Sequence, residues 1–404
     1  MNGLKRAAEP DEGDDENVAA GPPAPNPVAD SYRAETAKLH AGDAENLRLW
    51  KEFMPPCMEE IHKVYKKLEV VPFDHEYGES HYQPMLASVV ESLQATGVCE
   101  AGEGGSVIIR FGPENVALVR KRDGAFTYTT TDLATIKFRI ETFKPDAMLY
   151  VVDFRQSQHF ANLFEASRRW GYTGVELEHV KFGSVLGKDG KPLKTRDGGT
   201  TELMVLLERA VELGGHLFEM TYWQRKANGH DVPDWKDYSE DEKRNIASAV
   251  GIGAVKYADL SQNRTTDYKF DFEKMLATDG NTATYMQYAY ARCRSILRKG
   301  GVDEEAVRTN PPLNLGSAAE RALVIQLLRF PEAIDAAVAD YSPHALTGYL
   351  WDLAKSFSGF FEACPVLKAE TPELRASRLL LVDLVGRTIK QALHLLGIRV
   401  VERM

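Results

Sequence analysis

Apolar residues recur along this chain at two spacings, and the balance between them changes part-way. From Tyr128 to about Arg209, helix-period and strand-period stretches alternate: helix near 132–143, strand 147–153, helix 157–170, strand 175–182, a loop, and helix 200–212. That alternation predicts βαβ units and a parallel sheet. From about residue 238 only the helical period persists, over 240–258, 271–277, 280–299, 317–339, 345–363 and 370–396, which predicts an all-α bundle. Upstream, residues 30–70 predict two helices separated by Pro55 and Pro56. Residues 85–99 predict an amphipathic helix stopped by Gly97, and Ser106–Arg110 and Val116–Arg120 two short strands around the turn GPEN. The region 215–245 reads as a polar connection with WQRKANGHDVPDW as its loop. Residues 1–29 are acidic, rich in Pro and Ala and nearly free of large apolar groups, and are expected to be disordered.

A chain of 404 residues suffices for two or three domains, and 44% hydrophobic with 27% charged residues is an ordinary soluble composition. The net charge of -10 argues against a general nucleic-acid coating protein, and DNA is not an expected partner. It leaves room for a local basic face, because half of that charge sits in the first thirty residues, with two basic and seven acidic side chains. Cys57, Cys99, Cys293 and Cys364 are widely spaced with no C-x-x-C pair, so a zinc knuckle is not expected and a reduced, cytoplasmic protein with free thiols is. A monomer is expected. No run of eighteen apolar residues and no secretory h-region is present, so no membrane partner is expected.

The densest chemistry lies in Phe126–Gln158, FTYTTTDLATIKFRIETFKPDAMLYVVDFRQSQ. Tyr128 and Asp132 are four apart and share a face if a helix starts at this turn. Gln156 follows the apolar run Met148–Val152, where an open α/β sheet binds ligands outside the carboxyl ends of its strands. A carboxylate and an amide converging there can hold a cationic side chain; equally, Asp132 can cap a helix and Gln156 be a surface amide. His159, at a helix start, and His179, before Val180 and Phe182, read either as site residues or as a helix-start polar group and a satisfied strand-edge imidazole. The loop 187–199, GKDGKPLKTRDGG, combines four glycines with Lys188, Lys191, Lys194 and Arg196. Phosphoryl chemistry uses mobile cations and close backbone approach, and a solvated hairpin tip uses the same DG turn. Tyr285, Tyr288 and Arg292 offer RNA a stacking face, or serve as core tyrosines beside a surface cation. On the last helix Leu381, Leu384, Thr388 and Leu395 read as the core stripe, with Arg378, Arg387 and Lys390 off it as a solvated basic face.

Taken in order, these stretches resemble the arginyl-tRNA synthetases. The match includes Phe126–Gln158, HVKFGSVLGKDGKPLKTRDGG (179–199), GIGAVKYADLSQNRTTDYKFDFEKML (251–276), YMQYAYARCRSI (285–296) and LLGIRVVERM (395–404), and covers roughly residues 30–404. The resemblance implies a partial Rossmann-like α/β catalytic half of a class I synthetase followed by an all-α anticodon-binding bundle. It divides the chain into a helical insertion at 30–105, the second half of the nucleotide-binding fold at 106–239 and the anticodon domain at 240–404. It assigns Tyr128, Asp132 and Gln156 to arginine, and His159, His179, Lys191, Lys194 and Arg196 to ATP and the adenylate, KPLKTR standing for the Lys-Met-Ser-Lys loop. Tyr285, Tyr288, Arg292, Arg378, Arg387 and Lys390 go to tRNA. Expected partners are L-arginine, ATP with its Mg²⁺ and tRNA(Arg), with no protein-bound metal. The family's His-x-Gly-His motif is not found, and HAGD at 40–43 lacks the second His. The resemblance therefore implies an N-terminally incomplete arginine–tRNA ligase, or else an inactive truncated paralogue that binds tRNA or a partner.

Overall fold

The structure, a computed structural model, describes residues 27–40, 42–187, 189–191, 203–230, 232–301, 304–309 and 313–404. The chain divides into two compact units, Met1–Glu69 and Val70–Met404.

In the first unit α1 (Pro27–His40) and α2 (Ala44–Leu68) meet at Asp43, whose carboxylate caps α2 by accepting the Asn46 amide at 3.0 Å. Pro55 and Pro56 lie inside α2 and do not separate two helices, contrary to the expectation. Each proline removes one amide from the ladder, but α2 buries no residue, so water satisfies the carbonyls left over.

The second unit opens with α3 (Leu86–Ala95), which ends where Gly97 turns to φ 72°. Then β1 (Glu100–Ala101), β2 (Val107–Arg110) and β3 (Val116–Arg120) form an antiparallel sheet in that order. The predicted parallel unit follows: α4 (Tyr128–Phe143), β4 (Ala147–Tyr150), α5 (Ser157–Arg169) and β5 (Glu176–His179), with β4 and β5 paired in parallel from Ala147–Glu176 to Tyr150–His179. The ladder continues past the strands, where the Phe182 amide donates to Val152 at 3.3 Å. Leu86, Leu93, Ile109, Leu133, Ile136 and Leu163 fill the space between these elements.

β6 (Val185–Leu186) comes next, and two expectations fail after it. α6 (Leu203–Ala227) runs well past 212, because Phe218 and Tyr222 continue a buried stripe through its polar end. And a strand exists beyond 238: after α7 (Glu240–Leu260), β7 (Tyr268–Lys269) pairs in parallel with β6. Two residues are too few to show a period, and the pairing is set by contacts around it, the Gly183 amide on the Arg264 carbonyl at 2.7 Å and the Ser184 amide on the Asp267 carboxylate at 2.6 Å. α6 crosses α7 at Gly214 and Gly251. A Cβ on Gly214 would stand 2.7 Å from the Ala247 carbonyl oxygen, so only glycine permits this approach.

The rest is helical: α8 (Phe272–Met275), α9 (Ala283–Gly300), α10 (Glu304–Arg308), α11 (Ala318–Leu328), α12 (Phe330–Ala339), α13 (His344–Ala363) and α14 (Pro372–Leu395). The expected single helix 317–339 is broken at Arg329, since Pro331 lacks the amide that would continue the ladder. Met286, Leu323, Leu350, Phe357, Val382 and Ile389 make the bundle core. Leu395, expected in that core, is 52% exposed. No described helix is long and apolar enough to cross a membrane.

Candidate functional site

α4 begins at Tyr128, so Tyr128 and Asp132 do lie one turn apart on one helix. The Thr run sets that start. The hydroxyls of Thr127 and Thr130 both donate to backbone carbonyls of β3, pinning the helix to the sheet before its first turn closes. Tyr128 is left 66% exposed. Asp132 is half-buried, and the His159 Nε2–H donates to its Oδ2 at 2.7 Å. The resemblance assigns His159 to the nucleotide, and in the structure its ring bonds to Asp132. The other carboxylate oxygen of Asp132 makes no hydrogen bond among the described residues.

Gln156 ends a 3₁₀ turn, Phe154–Gln156, just outside the carboxyl end of β4, and its side chain is exposed. Asp153 caps that turn through the Arg155 amide at 2.8 Å and grips the Arg155 guanidinium at 2.9 Å on each carboxylate oxygen. This bond to Arg155 holds the Asp153 carboxyl below the usual carboxylate range. His179, at the end of β5, donates Nε2–H to the Val152 carbonyl at 3.1 Å and stacks on Phe160 at 4.6 Å. Tyr128 and Asp132 thus lie at the start of α4, and Gln156, His159 and His179 in the β4–α5–β5 unit that follows it, Gln156 and His179 at the carboxyl ends of its strands.

Tyr150 was not singled out from sequence. It packs between Phe160 and Phe164, with the Arg139 guanidinium 5.8 Å from its ring centre, and burial pushes its hydroxyl up to about 12. Apolar alternation could place its ring in the core; nothing local marks its hydroxyl.

The lysine loop starts at the carboxyl end of β6. Lys191 is exposed, its amide donating to Asp189 at 3.1 Å and its carbonyl accepting from Gly187 at 2.8 Å. Lys194 and Arg196, like Lys188, lie outside the described residues. Among the described residues no three His, Cys, Asp or Glu side chains stand together as metal ligands.

In the helical part Tyr285 and Tyr288 are half-buried. Tyr285 bonds to Ser358 at 3.2 Å, and the Arg225 guanidinium lies 5.9 Å from the Tyr288 ring centre. Arg292 stacks over Phe361 at 4.0 Å. Arg387 and Lys390 are exposed. Arg378 is not on that basic face: it is 9% exposed and donates to fully buried Glu320 at 2.7 Å and to the Pro365 carbonyl at 2.9 Å. Its position one turn from the core residues of α14 turns it inward, where only a buried carboxylate makes it tolerable. The tail 396–404 is a second contributor the periodicity missed. Gln287 donates to its Arg399 carbonyl at 2.8 Å and Arg403 clasps Glu242 at 2.8 and 3.0 Å, so the tail straps α7 to α9.

Residues 13–272 match the family model of tRNA synthetases class I (R), catalytic domain, and residues 286–404 that of the DALR anticodon binding domain. Fold and site therefore define a class I tRNA synthetase catalytic region joined to an anticodon-binding helical bundle. The chain is 46% identical over 379 residues to an arginine–tRNA ligase of Rhodopirellula baltica, covering 92% of this chain and 55% of that protein. It is 43% identical over 385 residues to one from Klebsiella pneumoniae, covering 93% and 64%. Among solved structures, the arginyl-tRNA synthetase of Plasmodium falciparum superposes with a TM-score of 0.79 at 26% identity, over 93% of this chain and 62% of that one. The chain belongs to the arginine family of class I tRNA synthetases, and it spans 55–64% of the length of these curated relatives.

Proposed function

We propose that this chain carries the arginine-recognising and adenylate-forming site of an arginine–tRNA ligase, together with its tRNA-holding helical part. Arginine and ATP give an arginyl adenylate with release of pyrophosphate, and the arginyl group then passes to a terminal ribose hydroxyl of tRNA(Arg). The observation that carries this reading is the Asp132–His159 pair at 2.7 Å. His159 fixes one carboxylate oxygen, and the other stays available for the planar donor fork of a guanidinium. Gln156 adds an amide acceptor beyond β4, and Tyr128 offers an exposed ring for the aliphatic stem.

Positioning and charge carry the chemistry. His179, held by Val152 and Phe160, lines the nucleotide side, and Lys191, Lys194 and Arg196 meet the phosphates. ATP brings Mg²⁺ with it as substrate. Tyr285, Tyr288, Arg292, Arg387 and Lys390 face tRNA, and the work is done in the cytoplasm. The segments 30–105, 106–239 and 240–404 serve as insertion, catalytic half and anticodon domain. The curated relatives named above, both arginine–tRNA ligases, support this reading. The test is arginine-dependent exchange of pyrophosphate into ATP, with charging of tRNA(Arg), by the natural gene product. Exchange that depends on arginine and not on lysine or citrulline is expected; exchange stimulated equally by all three would overturn the reading.

A further inference from the structure

A cavity of about 160 Å³ lies between α9 and α14. On α9 it is lined from positions 290, 293, 294 and 297, the face opposite the one that carries Tyr285, Tyr288 and Arg292. Four cations surround it, Arg294, Arg308, Arg387 and Lys390, against two carboxylates, Asp383 and Glu402. Each carboxylate is already answered by one arginine. Asp383, 2% exposed, accepts from Arg308 at 2.7 and 3.0 Å. Glu402 accepts from Arg294 at 2.7 Å and from the Tyr290 hydroxyl at 2.5 Å. Arg387 and Lys390 are the other two cations of the lining. Neither makes a hydrogen bond among the described residues, and Arg387 reaches Asp383 as a longer ion pair at 3.9 Å. The described lining residues thus carry two more positive than negative charges, in a chain whose net charge is -10. Gly386 lets α14 come close to α9 here, since a Cβ on it would come within 3.2 Å of the Cys293 Cβ.

We propose that this cavity seats a phosphate group, gripped by Arg387 and Lys390 with the Arg308–Asp383 and Arg294–Glu402 pairs as its walls. A tetrahedral phosphate presents oxygens to both cations at once, a monoester carrying up to two negative charges and a backbone diester one. The phosphate comes either from an RNA backbone or from a small phosphorylated molecule; the RNA source rests on the function proposed above. The site is separate from the stacking face of α9, so it adds a contact that face does not supply.

The experiment uses the full chain, calorimetric titration with inorganic phosphate, and tRNA binding measured across a salt series. The variants are Arg387→Ala/Lys390→Ala and, as a control on another helix, Lys355→Ala. The double variant is expected to lose at least about tenfold in phosphate affinity, or to lower the salt slope of tRNA binding by about one, as expected when one phosphate contact is removed. Loss of the tRNA term identifies the RNA backbone as the source. Loss of phosphate binding with tRNA binding unmoved identifies a small molecule. If wild type binds no phosphate and the tRNA slope is the same in all three proteins, the proposal is wrong. Matching melting curves exclude unfolding of the variant. Arginine binding, followed in the same samples, reports on the Asp132 site alone, so a failure there counts against the proposed function and not against this cavity.

Discussion

Asp132→Asn is the sharpest perturbation of the proposed arginine site. The substitution keeps shape and removes one negative charge. In the structure Asp132 is 38% exposed at its side chain and shares one oxygen with His159. An arginine guanidinium would therefore meet a partly hydrated carboxylate with one fully available oxygen, and solvent screening cuts the coulombic gain. A charge-assisted hydrogen bond in such a setting is worth about 1.5–3 kcal/mol, so arginine binding should weaken roughly ten- to hundredfold. Citrulline has the same length and no charge, and its binding should change far less. The assay is calorimetric titration of wild type and variant with both ligands. The expected result is collapse of the arginine-to-citrulline ratio with little change in melting temperature, because the His159 contact is near the surface. A ratio that survives the substitution would refute the guanidinium assignment, whatever happened to overall affinity.

Replacing Lys191, Lys194 and Arg196 together with Ala should slow adenylate formation by a hundredfold or more while leaving arginine affinity within about twofold; pre-steady-state pyrophosphate release separates the two. Arg378→Ala should cost about 3–5 kcal/mol in urea unfolding, since it strands fully buried Glu320, and Arg378→Met paired with Glu320→Gln should recover part of the loss. Burial pushes the Glu320 carboxyl up, but the Ser317 amide and Arg378 outweigh it and hold it below the usual carboxylate range. A folded pKa below the unfolded one stabilises the protein above the unfolded value and loses that contribution as pH falls through the folded value. Melting temperature should accordingly drop below about pH 4.3, and less steeply in Glu320→Gln.

Much of this architecture is local, and local features are readable from the chain. The helix and strand periods located β2, β3, α4, the β4–α5–β5 unit and most of the bundle, because each of those stretches buries one face and its apolar spacing records which face. The Thr run before Asp132 and the glycine after α3 are likewise signals carried by a few adjacent residues. The resemblance drawn from sequence named the family and pointed to Tyr128, Asp132, Gln156 and the lysine loop. What the chain could not disclose depends on partners distant in sequence. β7 is two residues long and exists because β6, some eighty positions earlier, lies beside it. α2 passes through two prolines because it buries no residue. His159 bonds to Asp132 across 27 residues, and Arg378 turns inward to Glu320 across 58. The same residue type on the same helix, Arg387, stays in solvent. Periodicity assigns a side chain to a face, but whether a charge on that face is buried or free is set by what another element places opposite it, and only the tertiary structure brings the two together.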